Sequence, residues 1–254
     1  MKFIKDVSLI FKHELIGSIK NPVWVFVSLF QPIGYVFFYG PVVVGMGTKA
    51  GISTQESLAS FIPGMLVMLS LFGTIFVGFS IIDEIRNGLM ERLLVSPLHK
   101  YSILIGKALR DVLVLQTQSI VILSLSKIAF GLEVKLIEAS CMLLLIGALG
   151  GIFAMFSYAL AIVLKSEDSF APAINMISQP LMLLSGILLP LTFAPAWLNN
   201  LSSVNPLRYI VDASRLIFVG DYTDPTIYKA IIMIACLIIV SIWCGMRSIN
   251  NILK

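Results

Sequence analysis

The sequence predicts an all-α integral membrane protein, and three properties of the chain support this fold class. Hydrophobic residues make up 58% of the 254 residues and charged residues only 13%, whereas about a quarter of a typical soluble domain is charged. The mean hydropathy is +0.96. Apolar runs of about 20 residues recur, which is the length that a helix needs to cross a bilayer. Because the runs are continuous rather than alternating, they indicate helices and not barrel strands.

Residues 1–21 predict an amphipathic helix that lies in the membrane interface rather than across it. Apolar residues such as Phe3, Val7 and Ile10 recur near helical spacing, and Lys5 and Lys12 lie between them. The pattern leaves two roles open. One is a lever or docking surface for a cytoplasmic partner, and the other is a plain surface anchor.

Six apolar segments follow this helix and predict six membrane spans. The spans are residues 23–44, 61–82, 102–129, 139–164, 171–189 and 226–246. Pro32 and Pro41 are expected to kink the first span, because proline removes a backbone donor. Gly147 and Gly150 give the fourth span a face of small residues for close helix packing. Residues 45–60 are expected to form a short polar loop.

The distribution of Lys and Arg predicts the orientation in the membrane. Six spans place both termini on one side, and that side, with residues 83–110 and Lys165, carries twelve of the eighteen basic residues. The positive-inside rule therefore places both termini and residues 83–110 in the cytoplasm. Lys107, Arg110 and Asp111 precede the apolar part of the third span. Lys107 and Asp111 are four residues apart, a spacing at which helical side chains pair.

Residues 190–225 have an unusual composition. The segment is too interrupted by prolines to cross the membrane and too apolar for an ordinary loop. A pair of short re-entrant or interfacial helices fits this pattern, since irregular backbone at membrane depth has to be buried in protein or hydrated.

The chemistry of an independent pump or enzyme is missing from the sequence. Gly106-Lys107 does not belong to a nucleotide-binding loop, because Ala108 follows it and Tyr101 occupies the place of the first glycine. The chain has only two histidines and lacks the common hydrolase motifs. No predicted span holds paired carboxylates at mid-depth, the usual mark of a proton-coupled carrier. Energy for pumping would have to come from another chain.

Residues 83–107 form the densest block of alternating charge, and residues 83–101 within it are predicted to be a cytoplasmic loop between two spans. An apolar stripe comprises Ile85, Leu89, Met90, Leu93 and Leu94. The opposite face carries Glu84, Arg86, Glu91 and Arg92, and Ser96-Pro97 ends the pattern. We expect one short amphipathic helix parallel to the membrane. Periodicity alone favours a solvated helix that has no partner over a docking helix.

The same stretch resembles the signature of the type-2 ABC exporter permease family. In that signature a charged segment leads into Gly, then Leu-Glu-Arg/Lys-Leu-Leu, Ser-Pro and a later Gly-Lys. The matching residues here are Gly88, Glu91, Arg92, Leu93, Leu94, Ser96, Pro97, Gly106 and Lys107. Leu89-Met90 departs from the Thr-Leu of many members. A second block, from Ser185-Gly186 to Arg215, resembles the region that precedes the family's last span.

The resemblance implies a permease that works with two separate ATPase subunits, as a homodimer or with a second permease. ATP and Mg²⁺ would be bound by those ATPases, with no cofactor, metal or catalytic residue on this chain. The coupling contacts implied are Glu84, Arg86, Gly88, Glu91, Arg92, Leu93, Leu94 and Pro97. An outer re-entrant segment would comprise Pro190, Pro195, Trp197, Asn205, Pro206, Arg208, Asp212 and Arg215. The last three would either pair with one another or contact substrate.

The resemblance also implies a place and a cargo. The place is the plasma membrane of a bacterium or archaeon, and the cargo is a hydrophobic drug, a lipid or a glycan. Candidate residues along its path are Phe30, Tyr35, Gln116 and Gln179; for Gln116 a hydrogen bond between helices is the alternative. A stand-alone carrier or channel and a lipid-modifying membrane enzyme are the competing functions.

Overall fold

The computed structural model describes residues 2–20, 22–187, 191 and 194–252, and every regular element within these ranges is a helix. For residues 22–29, 31, 32, 251 and 252 only the backbone is described. Pro190, one of the residues predicted for the outer segment, lies outside the described residues.

The helices are numbered in chain order. They are α1 (Lys2–Lys20), α2 (Pro22–Lys49), α3 (Thr54–Ile75), α4 (Gly78–Arg86), α5 (Leu89–Val95), α6 (Lys100–Phe130), α7 (Leu136–Leu164), α8 (Glu167–Leu183), α9 (Ala196–Ser202), α10 (Pro206–Val219) and α11 (Pro225–Ile252). The predicted all-α membrane fold is therefore confirmed.

Within the described part of the chain, four segments are long and apolar enough to cross a membrane. They are Thr54–Arg86, Lys100–Phe130, Leu136–Leu164 and Pro225–Asn250. The first combines α3 with α4, and the others correspond to α6, α7 and α11. The other two predicted spans fall in α2, which has 28 residues, and in α8, which has 17. Neither helix is among these four segments, so the count of six remains a prediction.

Helix α7 lies at the centre and packs against α3, α4, α6, α10 and α11. Its small-residue face is confirmed. A side chain on Gly150 would collide with Leu115 of α6, and one on Gly147 would collide with the amide of Gln116. That amide donates a hydrogen bond to the backbone oxygen of Leu143 at 2.6 Å. The glycines therefore allow α6 to approach α7 closely.

A capping box begins α3 earlier than expected. The Ser53 hydroxyl accepts from the Glu56 backbone N–H at 3.2 Å, and the Glu56 carboxylate accepts from the Ser53 N–H at 3.0 Å. This reciprocal pair satisfies two free donors of the first turn. The predicted loop over residues 45–60 is therefore wrong: α2 extends to Lys49, and Pro63 lies inside α3.

Ser157 of α7 stabilises the break between α3 and α4. Its hydroxyl accepts from the Gly78 N–H at 2.8 Å and donates to the Ile75 oxygen at 2.6 Å. The backbone approaches closely here, because a Cβ on Gly78 would lie 2.7 Å from the Ser157 carbonyl oxygen and 2.5 Å from the Phe170 ring. Gly78 is thus the point at which α4, α7 and α8 meet.

The predicted pair of short helices before the last span is observed as α9 and α10. Whether the pair enters the membrane stays a prediction. Asp224 then begins α11, since its carboxylate accepts from the Thr226 N–H at 2.7 Å. Side-chain and backbone hydrogen bonds from Thr226 hold the pKa of Asp224 below its ordinary value. Helix α11 continues to Ile252, beyond the predicted end at residue 246.

The substitution Gly78→Ala is expected to lower the thermal stability of the detergent-solubilised protein. The added methyl group would press on the backbone oxygen of Ser157, and such overpacking costs about 1–3 kcal/mol. Gly45→Ala in α2 is the matched control, because nothing lies within 4 Å of the position that its Cβ would take. Equal melting temperatures for the two variants would contradict the close approach at Gly78.

Candidate functional site

The coupling segment, residues 83–101, contains two helices rather than the single helix predicted. Asn87 and Gly88 separate α4 from α5, and Gly88 has φ +69°. This left-handed conformation is one that glycine adopts without a steric penalty. The turn changes the direction of the helix, so that Leu89 of the predicted apolar stripe is 42% exposed whereas Met90 is fully buried.

Helix α5 presents its charged side chains, together with Leu89 and Val95, to the solvent, and packs its other apolar side chains against the core. Glu91 and Arg92 are exposed, as is Pro97 beyond the end of the helix. Leu93 and Leu94 are partly buried and pack against the hydrophobic core. The two leucines therefore hold the helix against the core, and Glu91 and Arg92 remain exposed to solvent.

Arg86 at the end of α4 is also accessible. Its guanidinium lies 2.9 Å from the Glu167 carboxylate at the start of α8, and both side chains are largely exposed. An exposed pair of this kind contributes at most about 1 kcal/mol. The pair links the coupling segment to the start of α8. Because the contact is weak, Arg86 remains available for another partner.

Glu84 occupies a different position from the other predicted contacts, because its side chain points into the protein. Its carboxylate accepts from the Lys107 ammonium at 2.5 Å, and its side chain is 13% exposed. The structure therefore places Glu84 between α4 and α6, and not on the surface where a direct partner contact was expected.

Lys107 is the centre of an ion cluster formed by Glu14, Glu84, Lys107, Arg110 and Asp111. The Lys107 side chain is fully buried, and its ammonium also donates to Glu14 of α1 at 2.6 Å. Arg110 lies 3.5 Å from Glu14 and 2.9 Å from Asp111. The predicted Lys107–Asp111 pair is wrong. Helix α1 crosses α6 and supplies Lys107 with an acid from outside its own helix.

The ion cluster extends to the central helix and along α1. The Tyr158 hydroxyl of α7 donates to the Asp111 carboxylate, and both residues are buried. Near the other end of α1, Asp6 accepts from the backbone N–H of His99 at 3.2 Å. Buried charges need partners of this kind, because an unpaired charge in the interior is costly.

Gly106 explains why α1 is able to cross so closely. A Cβ on Gly106 would lie 2.8 Å from the side chain of Ile10 and 3.1 Å from the Val7 carbonyl oxygen. The Gly-Lys pair of the sequence signature thus has a structural meaning. Gly106 provides the space for α1, and the Lys107 ammonium donates a hydrogen bond to Glu14 of α1.

A cavity of about 710 Å³ lies among α1, α2, α3, α4 and α6. Apolar side chains line most of it, among them Tyr35, Met65, Met68, Leu69, Phe72, Phe76 and Leu115. Its polar end is formed by Glu14, Ser18, Asp83, Arg110 and Asp111. A concave site with apolar walls and a few convergent polar groups is the usual form of a small-molecule site.

The predicted path residues lie in different places. Tyr35 lines the cavity, whereas Gln116 contacts α7 through its bond to the Leu143 oxygen. Phe30 is 79% exposed on α2, and Gln179 is exposed on α8. The cavity is lined instead by Gln118, which was not among the residues predicted for the path.

A helical-face argument would have found Gln118. Asp111, Val114, Leu115 and Gln118 all line the cavity, and they follow one another at i, i+3, i+4 and i+7. This is the spacing of a single helix face. Gln116 lies on another face of α6, which packs against α7.

The residues of the predicted outer segment mainly hold α8, α9 and α10 together. Asn205 caps α10 by accepting from the Leu207 N–H at 3.0 Å, and its amide donates to the Leu181 oxygen of α8 at 2.8 Å. Pro206 is the first residue of α10. Arg208 donates to the Asn199 oxygen of α9 at 2.8 Å.

Arg215 joins three elements. Its guanidinium donates to the Ser60 oxygen of α3 at 3.0 Å and to the Gly186 oxygen after α8 at 2.8 Å. Asp212 lies 3.6 Å from Arg215 and 4.0 Å from Arg208. Of the two alternatives left open for these three residues, the structure shows the pairing.

Two further residues of the predicted outer segment lie around α9. Pro195 immediately precedes the helix, and Trp197 within it is 67% exposed.

Residues 5–219 match the family profile described as ABC-2 type transporter. The chain belongs to the ABC-2 type transporter family. The match includes α1, the coupling segment, the ion cluster, the cavity and α10, so the resemblance read from the sequence is confirmed.

Several relatives are named as permeases. The chain is 26% identical to a protein named transport permease ycf38 of Cyanophora paradoxa, over 85% of this chain and 75% of the relative. It is 25% identical to the multidrug ABC transporter permease YbhR of Escherichia coli K12, over 67% of this chain and 46% of YbhR. It is 27% identical to the daunorubicin resistance ABC transporter permease protein DrrB1 of Streptomyces coeruleorubidus, over 66% of this chain and 60% of DrrB1. The chain thus spans less than half of YbhR.

The substitution Lys107→Met is expected to destabilise the protein by about 3–5 kcal/mol. It removes the counter-ion of the buried Glu84, and leaving a buried charge unpaired has a cost of this size. Adding Glu84→Gln should recover part of the lost stability, because it removes the carboxylate that Lys107→Met leaves unpaired. Glu14, the other partner of Lys107, still has Arg110 nearby. Thermal unfolding in detergent measures both effects.

Lys12→Met on the exposed side of α1 serves as the control. A melting temperature of Lys107→Met equal to that of the control would contradict the role of the buried ion pair. The same conclusion would follow if Glu84→Gln gave no recovery.

Proposed function

We propose that this ABC-2 permease is the membrane subunit of an ATP-driven exporter and that its coupling segment docks on separate ATPase subunits. The observation that carries the proposal is the two-sided construction of α5. Leu93 and Leu94 fasten the helix to the core, while Glu91 and Arg92 face outward with both charge signs. Complementary charge gives an interface its specificity and association rate.

The ion cluster supplies the mechanical connection in this proposal. A push on α5 reaches α4 through the short turn at Gly88, and Glu84 at the end of α4 is bonded to Lys107 of α6. Lys107 is bonded in turn to Glu14 of α1. Movement of the docked segment would therefore displace α1, α4 and α6 together. The walls of the cavity would change with them.

We also propose six spans, with α2 and α8 completing the four that meet the length and composition criteria. The excess of basic residues on one side favours cytoplasmic termini in a bacterial or archaeal plasma membrane. Helices α9 and α10 would lie at the outer face as a re-entrant pair. Support comes from Arg215, which contacts Ser60 near the start of α3, whereas Glu84 of the coupling segment lies at the opposite end of the α3–α4 segment.

Two permeases, identical or related, would assemble with two ATPases that bind ATP and Mg²⁺. The names of YbhR and DrrB1 favour a hydrophobic drug as cargo over a lipid or a glycan. The lining of the cavity agrees with this choice, since aromatic and methionine side chains suit compact apolar molecules.

The double substitution Glu91→Ala with Arg92→Ala is expected to weaken binding of a co-expressed ATPase subunit at least about tenfold. A loss of only 1.4 kcal/mol gives that factor, and truncating interfacial charges commonly costs more. Because neither residue contributes to the core, the melting temperature of the variant should equal that of the unsubstituted permease. Co-purification and ATP-driven export in proteoliposomes measure the effect.

The matched control is Lys127→Ala with Glu133→Ala, which removes exposed charges of both signs at the far end of α6. This control should keep the ATPase and export normally. Docking at α5 would be refuted if the Glu91 and Arg92 variant retained both properties.

Cysteine labelling tests the orientation. In a background without Cys141, Cys236 and Cys244, Ser203→Cys between α9 and α10 should react with a membrane-impermeant maleimide in intact cells. Lys12→Cys on α1 should react only after the cells are permeabilised. The opposite pattern would reverse the proposed topology.

A further inference from the structure

The cavity has an excess of negative charge at its polar end. Among the lining residues that the structure describes, Glu14, Asp83 and Asp111 are acidic, and Arg110 is the only Lys or Arg. Arg110 is already engaged by two carboxylates, at 2.9 Å to Asp111 and 3.5 Å to Glu14. Its charge is therefore compensated within the protein, and little of it remains to attract an anion.

Asp83 is the lining carboxylate without a cationic partner in the described part of the chain. One of its oxygens accepts from the Asn87 amide at 3.0 Å, and the side chain is exposed. The buried Lys107 does not compensate it, because Glu14 and Glu84 lie within 2.6 Å of that ammonium. With Asp83 there are four carboxylates and two cations in this region, a formal excess of two negative charges, and Asp83 is the carboxylate that contacts neither cation.

The walls next to this charge suit an organic cation. Tyr35, Phe72 and Phe76 contribute aromatic rings, and Met65 and Met68 contribute thioethers. The faces of aromatic rings attract cations, and methionine side chains adapt to irregular shapes. The volume of about 710 Å³ lies within the range of pockets that hold drug-sized molecules.

We propose that this cavity binds lipophilic cations, with the positive charge at Asp83 and the apolar body between α2, α3 and α6. The inference rests on the proposed exporter function and names its substrate class. A lipophilic anion would meet uncompensated carboxylate charge. A neutral lipid would bring no counter-charge to Asp83.

The test compares two ions of the same shape and opposite charge, tetraphenylphosphonium and tetraphenylborate, binding to the purified permease–ATPase complex in detergent. Tetraphenylphosphonium should bind at least about tenfold more tightly than tetraphenylborate. Asp83→Asn should weaken its binding about tenfold, since the substitution removes the negative charge that attracts the cation, and a loss of about 1.4 kcal/mol gives that factor. Asp168→Asn, an exposed aspartate at the start of α8, should leave binding unchanged.

A second variant tests the location independently of charge. A Cβ on Gly73 would lie 3.7 Å from Leu115 and 3.8 Å from Gln118, so a methyl group fits and a longer side chain extends into the cavity. Gly73→Leu should therefore reduce tetraphenylphosphonium binding at least about tenfold. Gly45→Leu, which has nothing within 4 Å of its Cβ position, should not.

The outcomes separate this inference from the proposed function. If the complex assembles and hydrolyses ATP but binds the two ions equally, or if Asp83→Asn and Gly73→Leu bind normally, the cation site is refuted and the exporter function stands. If no ATPase associates with the permease, yet the permease alone selects the cation through Asp83, the site stands and the exporter function fails.

Discussion

The buried ammonium of Lys107 is the interaction on which the architecture around the coupling segment depends. Its two carboxylate partners come from Glu14 of α1 and Glu84 of α4, so one side chain ties together three helices that are distant in sequence. Burying such a charge costs several kcal/mol, which is offset only when the partners are close and well placed. Gly106 and Ser157 make this possible, since they allow α1 to cross α6 and α4 to bend against α7.

This arrangement makes the docking face and the cavity parts of one structure. Asp83 and Glu84 are adjacent at the end of α4, yet Asp83 lines the cavity and Glu84 bonds to Lys107. A displacement of α4 therefore changes the polar end of the cavity and the ion cluster at the same time. Arg110 belongs to both, because it lines the cavity while it pairs with Glu14 and Asp111. A partner that moves the coupling segment would thus act directly on the site where cargo is expected.

The differences between the sequence-based expectations and the structure have particular physical causes. The start of α3 was misplaced because the span was placed where the continuous apolar run begins, whereas the Ser53–Glu56 capping box begins the helix at Thr54. The coupling segment was expected to be one helix because the apolar spacing continues through Gly88, whereas the left-handed backbone of that glycine ends α4. Gln116 was chosen over Gln118 because composition alone does not show which face of α6 meets α7.

The sequence by itself determined the membrane class, the family, most of the helices and the exposed charge on α5, because apolar length and local motifs are properties of consecutive residues. Only the tertiary structure decided the partners of Lys107, the bonds that Arg215 makes to Ser60 and Gly186, and the existence of the cavity. These depend on which helices cross and how closely. Lys107 shows the difference. From the sequence, the nearest acidic partner on its own helix was Asp111. In the structure its partners are Glu14, because α1 crosses α6 at Gly106, and Glu84, because α4 bends away from α3 at Gly78.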